Sequence, residues 1–158
     1  MAVCAGLHAK KEAASLVDMF RGSNAIVAKA DIVSPNETEA EAMTGIAVKS
    51  VEDAHRAASR LLDMGAREVV LKLGASGAYY LGEGAFHVPV FEVTPVDTVA
   101  AGDAFTAALG CMWSTCPRED AVRYANAVGA LATTVAGAQP SMPTRAAVGA
   151  FLKERGKG

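Results

Sequence analysis

The chain has 158 residues, 51% of them hydrophobic and 20% charged, with a formal net charge of −2. That is enough apolar material for a buried core, and the scattered basic residues give no footprint for a nucleic-acid backbone or an anionic membrane, so a small-molecule partner is expected. Cys4, Cys111 and Cys116 form no C-x-x-C pair and are odd in number, which indicates neither a disulfide framework nor a zinc site; reduced, mostly buried thiols are expected.

Taken in chain order, Met1 to Leu7 is apolar but too short for a signal segment, and no later run has the length to span a bilayer, so a cytoplasmic protein is expected. Ala13, Leu16, Val17 and Phe20 share a helical face and predict an amphipathic helix over 9–20 that Gly22 closes. Asp31-Ile-Val-Ser predicts a short strand halted by Pro35, after which Asn36 caps a helix to about Met43 with Gly45 as its stop. Ser50 and Asp53 read as a capping box ahead of a helix that buries Val51, Ala54, Ala58, Leu61 and Leu62 and ends at Gly65. The β-rich run from Glu68 to Leu73 follows a helix directly, which argues for a parallel crossover strand.

Ala78-Tyr-Tyr-Leu and Ala85-Phe-His-Val, separated by Gly82-Glu-Gly84, predict a hairpin, and Pro89 and Pro95 bracket another extended piece. From Gly102 the period becomes helical, with Phe105, Ala108, Leu109 and Met112 on one face. Pro117 opens a further helix running to Gly137, and a last one from about Thr144 packs Val148, Phe151 and Leu152 before a frayed tail from Lys153. The fold class is therefore α/β, with a mostly parallel sheet, a β-hairpin and flanking helices.

The stretch Asp97-Thr98-Val99-Ala100-Ala101-Gly102-Asp103 places small side chains at a helix N-terminus, where bare N–H groups and the helix dipole suit phosphate oxygens. Asp103 stands beside those donors as a candidate proton acceptor, although a first-turn acid also serves to stabilise the helix dipole. His8, His55 and His87 share no metal-ligand spacing, and nothing marks Cys111 or Cys116 as a nucleophile.

The Asp-Thr-x-x-Ala-Gly-Asp stretch is similar to the C-terminal signature of the ribokinase, or PfkB, family of carbohydrate kinases, with Ala100 as in the ribokinase branch. Three further pieces resemble family motifs in the same order. Pro35-Asn36-Glu37-Thr38-Glu39 resembles the Asn-x-x-Glu motif, Leu71-Lys72-Leu73-Gly74-Ala75-Ser76-Gly77 the strand-end Gly-x-x-Gly turn, and Gly137-Ala138-Gln139-Pro140-Ser141-Met142-Pro143 a loop that wraps a monovalent cation. The resemblance implies a Rossmann-like ribokinase fold in which Asp103 is the catalytic base and Ala100, Ala101 and Gly102 with it form the anion hole. It implies ATP contacts at Asn36, Glu39, Lys72, Gly74, Gly77 and Asn126, the last bordering the adenine pocket, and Mg²⁺ reached through water by Glu39. It also implies K⁺ held by Asp97, Val99, Ala132, Val135, Gly137 and Ser141, with Asp97 ordering the loop. Taken as motifs alone, Asn36 with Glu39 also makes an ordinary capping box, and Gly74, Gly77, Gly137 and Pro140 serve any turn.

The likeness runs from about Asp31 to Leu152, so residues 1–30 are assigned to a divergent N-terminal helical segment and 31–158 to the ATP-binding and catalytic C-terminal part. Complete family members are longer, and the half absent here would supply the Gly-Gly sugar motif, most hydroxyl contacts and the lid. The expected activity is ATP-dependent phosphorylation of the primary hydroxyl of a sugar, ribose first. A nucleotide-binding remnant or regulatory subunit without turnover is the alternative, and a scaffold in which each motif is only a cap or turn needs several ordered coincidences. An exposed sheet edge predicts a homo-oligomer or a complementing N-terminal half as partner.

Overall fold

The computed structural model describes residue 27 and residues 30–155, and the helix predicted over 9–20, with Cys4 and His8, lies outside that range. Two compact units divide the chain, the first ending at His87 and the second beginning at Val88.

In the first unit, residues 33–36 lie parallel to the strand β1, Val69–Lys72. Val33 N donates to Glu68 O at 3.0 Å, Val70 N to Val33 O at 2.9 Å and Lys72 N to Pro35 O at 2.9 Å. The strand expected at 31–34 is thus present as a pair of isolated bridges, because Pro35 supplies no N–H and the chain turns into a helix directly afterwards. That helix, α1 (Glu37–Thr44), ends at Gly45, whose φ of 76° turns its N–H back to Glu41 O at 2.7 Å. Next, α2 (Val51–Asp63) starts where Ser50 Oγ accepts the Asp53 N–H at 3.1 Å. The return bond of the predicted box is displaced by one residue, since Asp53 Oδ2 accepts from Lys49 N at 3.1 Å.

Ala54, Ala57, Ala58 and Leu61 of α2 are fully buried against Ala40, Val69, Leu71 and Tyr79. Alanine at the contact lets the helix lie close to the sheet, so the core is thin and built from short side chains. The sheet continues through β2 (Ala78–Leu81) to β3 (Ala85–Val88), in the order β1-β2-β3. Because β1 and β2 pair antiparallel, with Leu71 opposite Tyr79, the parallel share among the described residues is confined to the 33–36 ladder.

The second unit packs α3 (Ala101–Met112) on α4 (Arg118–Ala132), and α4 on α5 (Arg145–Arg155). Phe105, Leu109, Val122, Ala125, Val148 and Phe151 are buried there. Two readings need correction. The helix opened by Pro117 stops at Ala132 rather than Gly137, because the Thr133 and Thr134 hydroxyls donate to Ala130 O and Leu131 O at 2.7 Å and hold the last turn. Cys111 is exposed, not buried, because it falls in the last turn of α3 beyond the buried Ala108 and Leu109; Cys116 is half-buried. The piece between Pro89 and Pro95 forms no strand. Among the described residues no helix is long and apolar enough to cross a membrane.

Candidate active site

Two of the helix N-termini contrast in chemistry. In α1 a side chain caps the free amides: Asn36 Oδ1 accepts the Glu39 N–H at 2.8 Å while Glu39 Oε2 accepts the Asn36 N–H at 2.9 Å. In α3 the cap residue is Ala100, which has no side-chain acceptor to offer. Ala101 N reaches Thr98 O at 3.3 Å, but the amides of Gly102 and Asp103 donate to no acceptor among the described residues. A helix start whose N–H groups are left to solvent carries partial positive charge and suits an anion. Gly102 and Asp103 are exposed, so the Asp103 carboxylate sits in the same first turn, open to solvent. Ala100 has φ −106° and ψ 5°, a conformation open to alanine, so the turn needs no glycine there.

The approach to that turn is fixed by Asp97. Its Oδ1 accepts from Val99 N at 3.0 Å and its Oδ2 from Gly137 N at 2.9 Å, so one carboxylate bridges the loop before α3 and the loop after α4. These amides, Gly137 first, hold its carboxyl below the ordinary aspartate value of 3.8. Val96 N and Asp97 N both donate to Thr133 O, at 2.7 and 3.0 Å. Gly137 takes φ 87°, which favours glycine, and buried Ser141 closes the loop by donating from Oγ to Ala138 O at 2.8 Å and from N to Gly137 O at 3.3 Å.

For a monovalent cation the donor set fits in kind. The carbonyls of Val99, Ala132 and Val135 accept no hydrogen bond from a described residue, and hard, neutral oxygens of this sort suit an alkali ion. Asp97 is already engaged by two amides, so it serves the loop as an anchor in this structure.

In the first unit, Asn36 and Lys72 face each other across the parallel ladder, Lys72 being half-buried at the end of β1. The chain then makes a 3₁₀ turn over Gly74–Ser76. A Cβ on Gly74, already at φ 48°, would lie 3.3 Å from Glu37 Oε1, so the turn and the start of α1 touch. Gly77, with φ 93° and ψ −128°, occupies a region open to glycine alone. Asn36, Glu39, Lys72, Gly74 and Gly77 therefore cluster where the chain leaves adjacent parallel segments, the usual place for a ligand in an α/β sheet. Within the cluster, Asn36 Nδ2 and Glu39 Oε1 engage no described partner.

Asn126, expected to border the adenine pocket, lies within α4. It is 5% exposed, and its Nδ2 donates to Val88 O at 3.1 Å and Pro89 O at 3.3 Å. Sequence reasoning missed Thr133, whose contribution is a backbone carbonyl and left no trace in residue type. It also missed Gly129, where a Cβ would stand 3.4 Å from Ala101 O. A glycine inside an otherwise alanine-rich helix was the available signal.

The profile described as pfkB family carbohydrate kinase matches residues 8–145. Ribokinase of Haemophilus influenzae is 36% identical over 133 residues, which cover 83% of this chain and 44% of the relative. Relatives of like identity include a deoxyribokinase of Salmonella typhi and fructokinase-1 of Zea mays. Among solved structures, Arabidopsis thaliana ribokinase complexed with ribose and ATP superposes with a TM-score of 0.79 at 33% identity, covering 83% of this chain and 43% of that one. A putative ribokinase II from E. coli in complex with ATP and Mg²⁺ gives 0.76 at 29% identity, covering 92% and 46%. The fold is that of the ribokinases, and this chain spans less than half the length of those relatives. Since one profile covers most of the chain and the capless α3 turn falls within it, the chain belongs to the PfkB family of carbohydrate kinases.

Proposed function

We propose that this chain carries the ATP-binding and catalytic part of a kinase that phosphorylates the primary hydroxyl of a sugar, ribose in the first instance. The observation that carries the reading is the α3 N-terminus, where the unpartnered Gly102 and Asp103 amides share a first turn with an exposed carboxylate. In the reaction, the Asp103 carboxylate takes the proton from the sugar hydroxyl as the new oxygen–phosphorus bond forms and the bond to the departing ADP breaks. The Gly102 and Asp103 amides, with that of Ala100 in the same loop, stabilise charge on the transferring group, and Ala101, bonded to Thr98 O, shapes the loop that presents them. Asn36, Glu39, Lys72, Gly74 and Gly77 hold the nucleotide side. Mg²⁺, when bound, neutralises phosphate charge, and the free Glu39 oxygen suits its water shell. Potassium on the carbonyls of Val99, Ala132, Val135 and Gly137, with Ser141, would fix the loop without touching substrate.

A second reading is nucleotide binding without turnover, since the capless α3 turn suits phosphates whether or not Asp103 takes a proton. Thermal shift with ATP, ADP and Mg²⁺ on the parent, Asp103→Asn and Ser141→Ala, followed by ribose-dependent ADP release, separates the two. Kinase function predicts stabilisation in parent and Asp103→Asn alike, with release falling roughly 10²- to 10⁴-fold in the variant. Stabilisation with no release from the parent supports the second reading. Absence of stabilisation by any nucleotide removes both. Deoxyribose and fructose in parallel with ribose test the sugar.

A further inference from the structure

Thr106 is the one polar side chain among the buried residues of α3, which are otherwise Ala104, Phe105, Ala108 and Leu109, and it is 8% exposed. A helix interior does not favour threonine: branching at Cβ restricts χ1, and a hydroxyl that bonds back to the carbonyl four residues earlier tends to bend the helix. Thr106 makes that bond, donating from Oγ1 to Gly102 O at 2.9 Å. Thr133 and Thr134 direct like bonds to the end of α4, where carbonyls run out of α-helical partners. Gly102 O lies at the opposite end of its helix, and the ladder already brings it the Thr106 N–H. The hydroxyl therefore fills no gap; it adds a second donor to one oxygen. That oxygen belongs to the peptide unit whose other end is the Asp103 N–H, one of the two α3 amides with no described acceptor. A peptide unit is planar, so anchoring its carbonyl fixes the direction of its N–H. Drawing electron density toward the carbonyl oxygen also makes that N–H a stronger donor, as along any chain of hydrogen bonds.

We infer that Thr106 is a positioning residue for the proposed phosphate-binding turn: its hydroxyl, bonded to Gly102 O, aims and polarises the Asp103 N–H toward an anionic ligand that Thr106 itself does not touch. The Gly102 N–H belongs to the preceding peptide unit, whose carbonyl is that of Ala101, and does not share this bond. The alternative is that the hydroxyl takes Gly102 O merely because a buried donor needs the nearest acceptor, which predicts an effect on stability and none on the Asp103 amide or on anion affinity. The inference rests on the proposed phosphate reading of the turn only for its ligand-binding half.

The test compares Thr106→Val, which keeps the branched shape and removes the hydroxyl, with Thr106→Ser, which keeps the hydroxyl, both in the full chain; Thr106→Ala takes the place of valine if that variant does not fold. Without ligand, the Asp103 amide proton resonance is expected to move upfield in the valine variant and to return toward the parent position with serine, while that of Gly102 moves less. An Asp103 resonance unmoved by valine, or moved no more than that of Gly102, would overturn the inference whatever the chain binds. Calorimetric titration with inorganic tripolyphosphate and Mg²⁺ then reads the ligand-binding half. Valine is expected to weaken binding roughly two- to fivefold, the size that follows if about 10–30% of one charge-assisted bond goes with the hydroxyl, and serine to restore it. The melting temperature of the ligand-free valine variant should stay at or above the parent's, since a back-bonded hydroxyl slightly destabilises a helix. Affinity unchanged by valine, or lost together with a lowered melting temperature and not recovered by serine, would assign the hydroxyl to stability alone. If the parent does not bind tripolyphosphate, the phosphate reading of the turn fails, and the resonance comparison still decides whether Thr106 acts on the Asp103 amide.

Discussion

Gly129 offers a test of how the α3 turn is supported, because the structure gives opposite signs for two substitutions. A Cβ at this position would lie 3.4 Å from Ala101 O, 3.6 Å from Phe105 Cβ and 3.8 Å from Phe105 Cδ2, all within ordinary van der Waals range. Alanine therefore fits, and in a helix interior it is favoured over glycine by about 0.8–1 kcal/mol. For a domain of this size that corresponds to a rise in melting temperature of roughly 2–4 °C. Valine adds two branched carbons to the same contact, driving toward Ala101 O at the base of the proposed anion site. Overpacking of this kind costs roughly 1–3 kcal/mol. Thermal unfolding by circular dichroism should thus show Gly129→Ala above the parent and Gly129→Val below it, with nucleotide protection retained in the first and weakened in the second. A Gly129→Ala variant destabilised as much as Gly129→Val would refute the claimed spacing of α3 and α4.

Three further outcomes follow from other parts of the chain. Asn36→Ala removes the acceptor that caps α1 and should cost about 1 kcal/mol of stability by chemical denaturation, consistent with loss of an N-cap. Gly82→Ala should be destabilising by roughly 1–3 kcal/mol, because its Cβ would run into the Tyr80 hydroxyl, and Tyr80 is 3% exposed and donates to Glu68 Oε2 at 2.6 Å. Asp97 has a carboxyl held below 3.8 by the amides of Gly137 and Val99. A group whose value is lowered on folding contributes fully above its unfolded value and loses that contribution as pH falls through the folded one. The Gly137 and Val99 amide resonances should therefore titrate with an apparent pKa below 3.8, and a transition at or above 3.8 would contradict the bridge.

Local chemistry was well represented in the sequence. Gly82-Glu-Gly84 placed the hairpin, and Asn36, Ser50 and Gly45 placed helix ends, because caps and turns are decided by a few adjacent residues. The α3 turn was picked out by its resemblance to the family signature, since a first-turn acid after small residues serves the helix dipole equally well. What stayed hidden is what depends on backbone groups brought together by packing. Thr133 O as the acceptor for both Val96 N and Asp97 N, and Asn126 as the donor to Val88 and Pro89, join residues 36 to 38 positions apart. No periodicity reports such a bond. The early end of α4 at Ala132 has a local cause after all, in the paired threonine hydroxyls, but an apolar pattern running on to Val135 masked it. Cys111 was misplaced because apolar character was taken for burial, whereas it lies exposed in the last turn of α3.

The central claim is that main-chain donors at the start of α3 grip a phosphoryl group beside Asp103. Titrating ¹⁵N-labelled chain with ATP and Mg²⁺ while following the Gly102 and Asp103 amide resonances tests it at the atoms concerned. Saturable downfield shifts at both amides, reproduced by tripolyphosphate, are predicted. Binding that moves the resonances of 36–39 or 74–77 and leaves those two amides unmoved would contradict the account.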